Sequence, residues 1–351
     1  ASTSLYGSRA ANGVVLITTK KGKVGQTNVN LNVYTGFQKV PENGRLEMMD
    51  AEEFAIFKQE YYAAAGQPIP EVFQNAEQYR GKSNDWYDAM LQTAPITSYN
   101  LSVTSNKEKV NTAIIAGVFD QDGVVINSDY TRFSLRMNTD YQVSDKVNIG
   151  VNVAPNYVVD NTPRTDGSRG TGILFNALHT WPIMPIYEEN GELTSFNKLP
   201  SNTGNIFAYP NWVRSAKEIT NETKELNVLA NTYVEWKPIK GLSLKSTFNA
   251  EIGNSKYFWF NPSTATANIN VSIPTVAVSI RDNNQRLSWL NENIVTYTKS
   301  LGDHNFQLLG GFSNQKFRSE STRIQADTYA DDRIPTIQGA ININRGGTNS
   351  G

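Results

Sequence analysis

The stretch from Lys146 to Val158 reads KVNIGVNVAPNYV. Val147, Ile149, Val151, Val153 and Tyr157 fall on one side of an extended chain. Asn148, Gly150, Asn152, Ala154 and Asn156 fall on the other. A period of two is the signature of a β-strand with two unlike faces. The same pattern recurs on both sides of this stretch. Val29, Leu31 and Val33 oppose Asn28, Asn30 and Asn32. Phe133, Leu135, Met137 and Tyr141 oppose Arg132, Ser134, Arg136, Asn138 and Asp140. Leu226, Val228, Ala230, Val234 and Trp236 oppose Asn227, Asn231 and Glu235, and Leu242, Leu244, Phe248 and Ile252 oppose Lys245, Asn249 and Glu251.

The alternation predicts about nine strands. They run near Thr27 to Gln38, Thr97 to Ser105, Val110 to Asp120, Thr131 to Gln142 and Lys146 to Val158. Four more lie near Glu225 to Lys237, Gly241 to Gly253, Gln285 to Lys299 and His304 to Gln315. Their connections alternate in length. Short turns fall at Asn106 to Lys109, Val143 to Asp145, Pro238 to Gly241 and Ser300 to Asp303. Long loops fall at Pro41 to Ile96, Gln121 to Tyr130, Val159 to Lys224 and Asn254 to Asn284.

Short turns at one end and long loops at the other is the plan of an outer-membrane barrel. A strand of about eleven residues spans roughly 36 Å, which at a tilt of about 40° matches the ~25 Å apolar band of such barrels. Tyr34, Tyr99, Tyr141, Tyr157, Trp236 and Tyr297 stand near strand ends, where interfacial aromatics belong. A large soluble β-sandwich or an extended surface adhesin also alternates apolar and polar positions, so pattern alone leaves that reading open. The polar face favours the barrel. It carries small and amide side chains, as a wet lumen would, rather than the Lys, Glu and Thr of a solvated sandwich.

Composition agrees. Asn makes up roughly one residue in nine and is a turn former rather than a helix former. Aromatic residues reach 11%. The chain of 351 residues has no Cys, which excludes a disulfide scaffold and every Cys-ligated metal site. Its net charge of -1 argues against a nucleic-acid surface. The longest apolar run, Tyr61 to Ala65, is far short of a membrane-spanning helix. Mean hydropathy is -0.44, low enough for a soluble protein and equally low for a membrane barrel.

One helix is expected, inside the first long loop. Asp50-Ala51-Glu52-Glu53 has the form of a capping box. Phe54, Phe57 and Tyr61 follow on one face, which predicts a helix packed on the barrel rim.

Residues 5 to 22 read LYGSRAANGVVLITTKKG. This is a Gly-bounded turn, a short apolar strand from Val14 to Ile17, and a basic exit at Lys20, Lys21 and Lys23. The missing Gly-Lys-Ser/Thr ending excludes a phosphate loop. The stretch closely resembles the end of the plug domain in the SusC/RagA family of TonB-linked (TonB-dependent) outer-membrane transporters. The resemblance is carried by Tyr6, Gly7, Ser8, Arg9, Ala10, Ala11, Asn12 and Gly13, then by the apolar strand and basic linker. Asp85-Trp86, Thr93-Ala94-Pro95, Asn100 to Val103, Asp120 to Gly123 and Arg132-Phe133 also look like early barrel strands of that family.

The resemblance implies an all-β fold, a transmembrane antiparallel barrel of twenty-two strands of which about nine are here. It divides the chain into a plug end and linker at 1–26 and the N-terminal part of the barrel at 27–351. It further implies the outer membrane of a Gram-negative bacterium, energy coupling through TonB, and a SusD-like surface lipoprotein as partner. Substrates in the family are oligosaccharides, glycans or peptides. With Ala1 at its start and nine strands, the chain reads as an internal fragment of such a transporter.

Catalysis is not expected: there is no nucleophile elbow, no zinc-protease His-Glu pair and no Rossmann fingerprint. No cofactor or metal is expected either. His304 sits in a turn and His179 in the longest loop, without sequence partners. The pairs Asp120/Asp122, Glu188/Glu189 and Asp331/Asp332 lack EF-hand spacing and read as turn formers. Aromatics in the long loops are the candidates for substrate contact, namely Trp181, Tyr187, Tyr209, Trp212 and Trp259, with Tyr257 and Phe258 beside the last.

Overall fold

A computed structural model describes residues 25–165, 172–197, 209–268, 271, 273–344 and 349–350. All nine expected strands are present. They are β1 (Thr27–Gln38), β2 (Ala94–Lys107), β3 (Val110–Asp122), β4 (Asp129–Ser144) and β5 (Val147–Asn161). They continue as β6 (Thr220–Trp236), β7 (Leu242–Asn261), β8 (Val278–Leu301) and β9 (His304–Tyr329). Each pairs antiparallel with the next in sequence order, in one sheet. A short β10 (Ala340–Ile343) pairs with the end of β9. The long strands thus form a single up-and-down wall rather than the two packed sheets of a sandwich.

Register carries the alternation from strand to strand. Val29 faces Val103, Val103 faces Ile114, Ile114 faces Met137, and Met137 faces Val153. Val153 then faces Ala230 and Ala230 faces Ala250. This apolar side has nothing packed on it among the described residues: Leu31, Val33, Phe133, Trp236, Phe248 and Ile252 are all exposed. An apolar face of this extent marks a membrane or protein contact. Leu229, Leu309 and Phe317 are exposed exceptions on the opposite side.

Aromatics edge the apolar face at both ends. Tyr141 faces Ile149 near the short turns, and eight residues along β5 Tyr157 faces Phe133. Eight residues span about 26 Å along a strand. Tyr34 departs from the expected girdle. It faces Ser98 and shares parity with Asn32, so it lies on the amide side.

The strands outrun the sequence expectation on the long-loop side. β7 continues to Asn261, β8 starts at Val278, and β9 runs 26 residues to Tyr329. In these extensions the alternation lapses while the hydrogen-bond ladder continues: β7 ends in the unbroken aromatic run Tyr257 to Phe260, and β9 passes through the polar run Arg318 to Arg323. At the other end Gly241 closes the β6–β7 turn. Its φ of +86° suits glycine, and its carbonyl accepts Thr298 N at 2.8 Å.

The long loops are not bare. They hold α1 (Ala51–Ala64), α2 (Glu71–Gln74), α3 (Ile173–Leu178) and α4 (Trp212–Glu218). Helix α1 has the expected capping box. Asp50 Oδ1 accepts Glu53 N at 2.8 Å, and Glu53 Oε2 accepts Asp50 N at 3.0 Å. Its buried face differs from expectation. Ala51 and Ala55 are fully buried, whereas Phe57 and Tyr61 are exposed at 44% and 55%. Ala55 lets α1 approach Phe73 closely, the half-buried Phe54 ring packs beside it at 6.1 Å, and Phe57 and Tyr61 are turned out. Helices α3 and α4 are too short to leave a helical period in the sequence.

Candidate functional site

The four long loops pack into one cap. Its core holds Trp86 and Met90 from the first loop, Ile173, Ala177, Met184, Trp212 and Val213 from the third, and Ala265 from the fourth. Val125 and Ile126 of the second loop pack against it. Buried polar groups are tied in. Trp86 Nε1 donates to Met184 O at 3.2 Å, and Trp212 Nε1 donates to Thr180 Oγ1 at 2.8 Å. Asn211 caps α4 by accepting Arg214 N at 3.0 Å and donates to Ile186 O at 2.7 Å. A second cluster joins α1 to the third loop through Ala55, Phe73, Ala76, Trp181 and Ile183.

The aromatic candidates have different fates. Trp212 is completely buried, so it has no surface for a ligand and serves the cap core. This corrects the expectation for that residue. Trp259 packs half-buried against the same core. Tyr187 is exposed at 51%, in an isolated bridge with Leu193. Trp181 is half-buried. Its ring lies 5.3 Å from Phe54 and 5.7 Å from Phe73, with the Lys58 ammonium 4.9 Å from its centroid. Burial pushes the Lys58 pKa down from its ordinary value. The backbone of Tyr209 pairs with Asn197, and its side chain lies outside the described residues. So does the motif from Tyr6 to Gly13.

Beneath the cap, the polar side of the wall is built in rows. Asn138, Asn152, Asn231 and Asn249 face one another in turn across β4, β5, β6 and β7. Asn231 Nδ2 donates to Asn249 Oδ1 at 2.5 Å. A second row contains Asn32 facing Asn100 and Asn156 facing Asn227. Each amide offers donors and an acceptor without charge. A pocket of about 310 Å³ opens on the first row and is lined by Arg136, Asn152, Asn231, Asn249, Glu251 and Ser288. Glu251 pairs with Arg286 at 3.3 Å. Parity in the sequence already put these amides on one face. Their alignment into rows needed the register.

The two histidines and the acidic pairs are locally engaged or exposed. His179 stacks on Phe175 at 4.2 Å and donates from Nδ1 to its carbonyl at 2.7 Å. His304 is exposed at the start of β9. Asp332 accepts Ser263 N and Oγ at 2.7 and 2.6 Å. Arg333 holds the neighbouring Asp331 carboxyl down at about 2. Among the described residues no cluster of three acidic or histidine side chains could hold a metal.

No family model matches the chain. Curated relatives do. TonB-dependent receptor P3 of Formosa agariphila is 32% identical over 338 residues, covering 95% of this chain and 31% of the relative. TonB-dependent receptor P26 of the same organism is 33% identical over 329 residues, covering 93% and 31%. TonB-dependent receptor SusC of Bacteroides thetaiotaomicron is 26% identical over 335 residues, covering 90% and 31%. The chain spans about a third of the length of these relatives. In structure it is similar to the RagAB peptide transporter, with a TM-score of 0.78 at 19% identity, covering 99% of this chain and 42% of that one. Over 99% of its length the chain therefore shares the backbone fold of that transporter. Over nearly its whole length the chain is similar to about a third of these TonB-dependent receptors, SusC among them, and it shares its fold with the RagAB transporter.

Proposed function

We propose that this chain forms a section of barrel wall and its extracellular cap in a TonB-dependent importer of the Gram-negative outer membrane. The single observation that carries this is the two-faced sheet. Exposed apolar side chains cover one side, and rows of uncharged amides run across the other. Lipid suits the first face and a wet lumen the second.

In this reading residues 1–26 end a plug, and 27–351 begin a barrel of twenty-two strands. TonB acts on the plug through a more N-terminal segment, and a SusD-like lipoprotein sits over the cap. The cargo is an oligosaccharide, a glycan or a peptide. Trp181, Tyr187, Tyr209 and Trp259 are the loop aromatics assigned to cargo contact in this reading, and Trp212 serves the cap core. No residue is assigned a catalytic role.

The test is uptake by cells carrying the full-length protein. Labelled oligosaccharides and peptides are offered with TonB present and with TonB deleted. Accumulation of one class that needs both this protein and TonB supports the reading. Uptake, or surface binding without uptake, that is indifferent to TonB overturns it.

A further inference from the structure

The side chain of Lys58 leaves α1 into a ring of aromatics. Its Nζ lies 4.9 Å from the Trp181 centroid, 5.3 Å from Phe54, 5.6 Å from Tyr61 and 6.0 Å from Phe57. No carboxylate pairs with it among the described residues. The ammonium is therefore held by ring faces alone, half out of water.

Two features mark this as more than a packing accident. Phe57 and Tyr61 are not needed to dock α1, because Ala51 and Ala55 make its buried face. They stand exposed on the cap, leaving the ring open to solvent on one side. Trp181 closes the other side and is itself braced by Phe54 and Phe73. Aromatic faces attract cations, Trp most strongly, and such cages recognise alkylated ammonium groups. A primary ammonium is a compact, strongly hydrated charge, whereas a guanidinium is more weakly hydrated and stacks on rings. Lys58 is thus a weak occupant of a site built for a less hydrated cation.

We infer that Phe54, Phe57, Tyr61 and Trp181 form a recognition site for a cationic ligand group, an alkylammonium or guanidinium, with Lys58 as its internal placeholder. The ligand's cation displaces Lys58 into solvent. The inference rests on the cage itself and stands whether or not the protein imports cargo.

The experiment uses the full-length protein with tetramethylammonium and ethylguanidinium as probes, read by calorimetry. Lys58→Ala should bind the probes at least tenfold more tightly than the unsubstituted protein. Adding Tyr61→Ala, at an exposed ring, should remove that gain. In the unsubstituted protein, saturating probe should raise the rate of Lys58 acylation by an amine-reactive ester several-fold. No gain in Lys58→Ala, a gain that survives Tyr61→Ala, or an unchanged acylation rate each overturns the inference and leaves Lys58 as a tie between two loops.

Discussion

The Tyr233 ring lies over Gly150, the residue opposite it on the neighbouring strand. A Cβ at Gly150 would come within 2.6 Å of Tyr233 Cδ1 and 2.7 Å of Cζ, and closer still to Cε1. The ring crosses β5 there, and its hydroxyl donates to Asp140 Oδ1 at 2.8 Å on β4. Three strands are laced through one missing methyl group. Gly150→Ala should displace the ring and break the bond to Asp140, at a cost of about 1–3 kcal/mol from overpacking. Refolding equilibria of the full-length protein in lipid vesicles measure it. Gly150→Ala combined with Tyr233→Ala should recover part of that loss, because the collision is gone.

Trp212 tests the division of labour among the loop aromatics. It is fully buried with its indole N–H on Thr180 Oγ1. Trp212→Ala should destabilise the cap by ~3–5 kcal/mol, the range for truncating a buried aromatic. Limited proteolysis of the third loop should speed up accordingly. Tyr187→Ala, at an exposed ring, should leave the proteolysis rate unchanged.

Helix α1 should depend on its cap. Asp50→Ala removes the acceptor for Glu53 N and one half of a reciprocal pair. A loss of ~0.5–2 kcal/mol of local stability is expected. Hydrogen exchange should rise at 51–57 and stay unchanged in the strands.

The strands were legible in sequence because apolar and polar side chains alternate along them, one set on each face of the sheet. Their extensions were not. The run Arg318 to Arg323 of β9 is polar throughout and carries no alternation, and Ala326 and Tyr329 beyond it are packed by partners distant in sequence, such as Phe260. The α1 capping box was legible from Asp50 and Glu53, yet the buried face was misread from Phe57 and Tyr61. Of the three rings expected on that face only Phe54 packs against Phe73, beside Ala55, while Phe57 and Tyr61 stay exposed. Trp212 was misread for a related reason. An aromatic in a long loop looks exposed until loops far apart in sequence pack together, as Trp86, Trp212 and Ala265 do here. The ring around Lys58 was beyond sequence reasoning, because Trp181 is brought to α1 only by that packing.

The central claim is that one face of this wall meets lipid and the other water. Val151 and Asn152 are adjacent in β5, opposite in face and well inside the strand. The deciding measurement is the folding free energy of full-length Val151→Arg and Asn152→Arg in lipid vesicles. The account predicts a cost of ~2–4 kcal/mol for Val151→Arg, the price of a cation near the bilayer midplane, and a far smaller cost for Asn152→Arg. Equal costs at the two positions would contradict it.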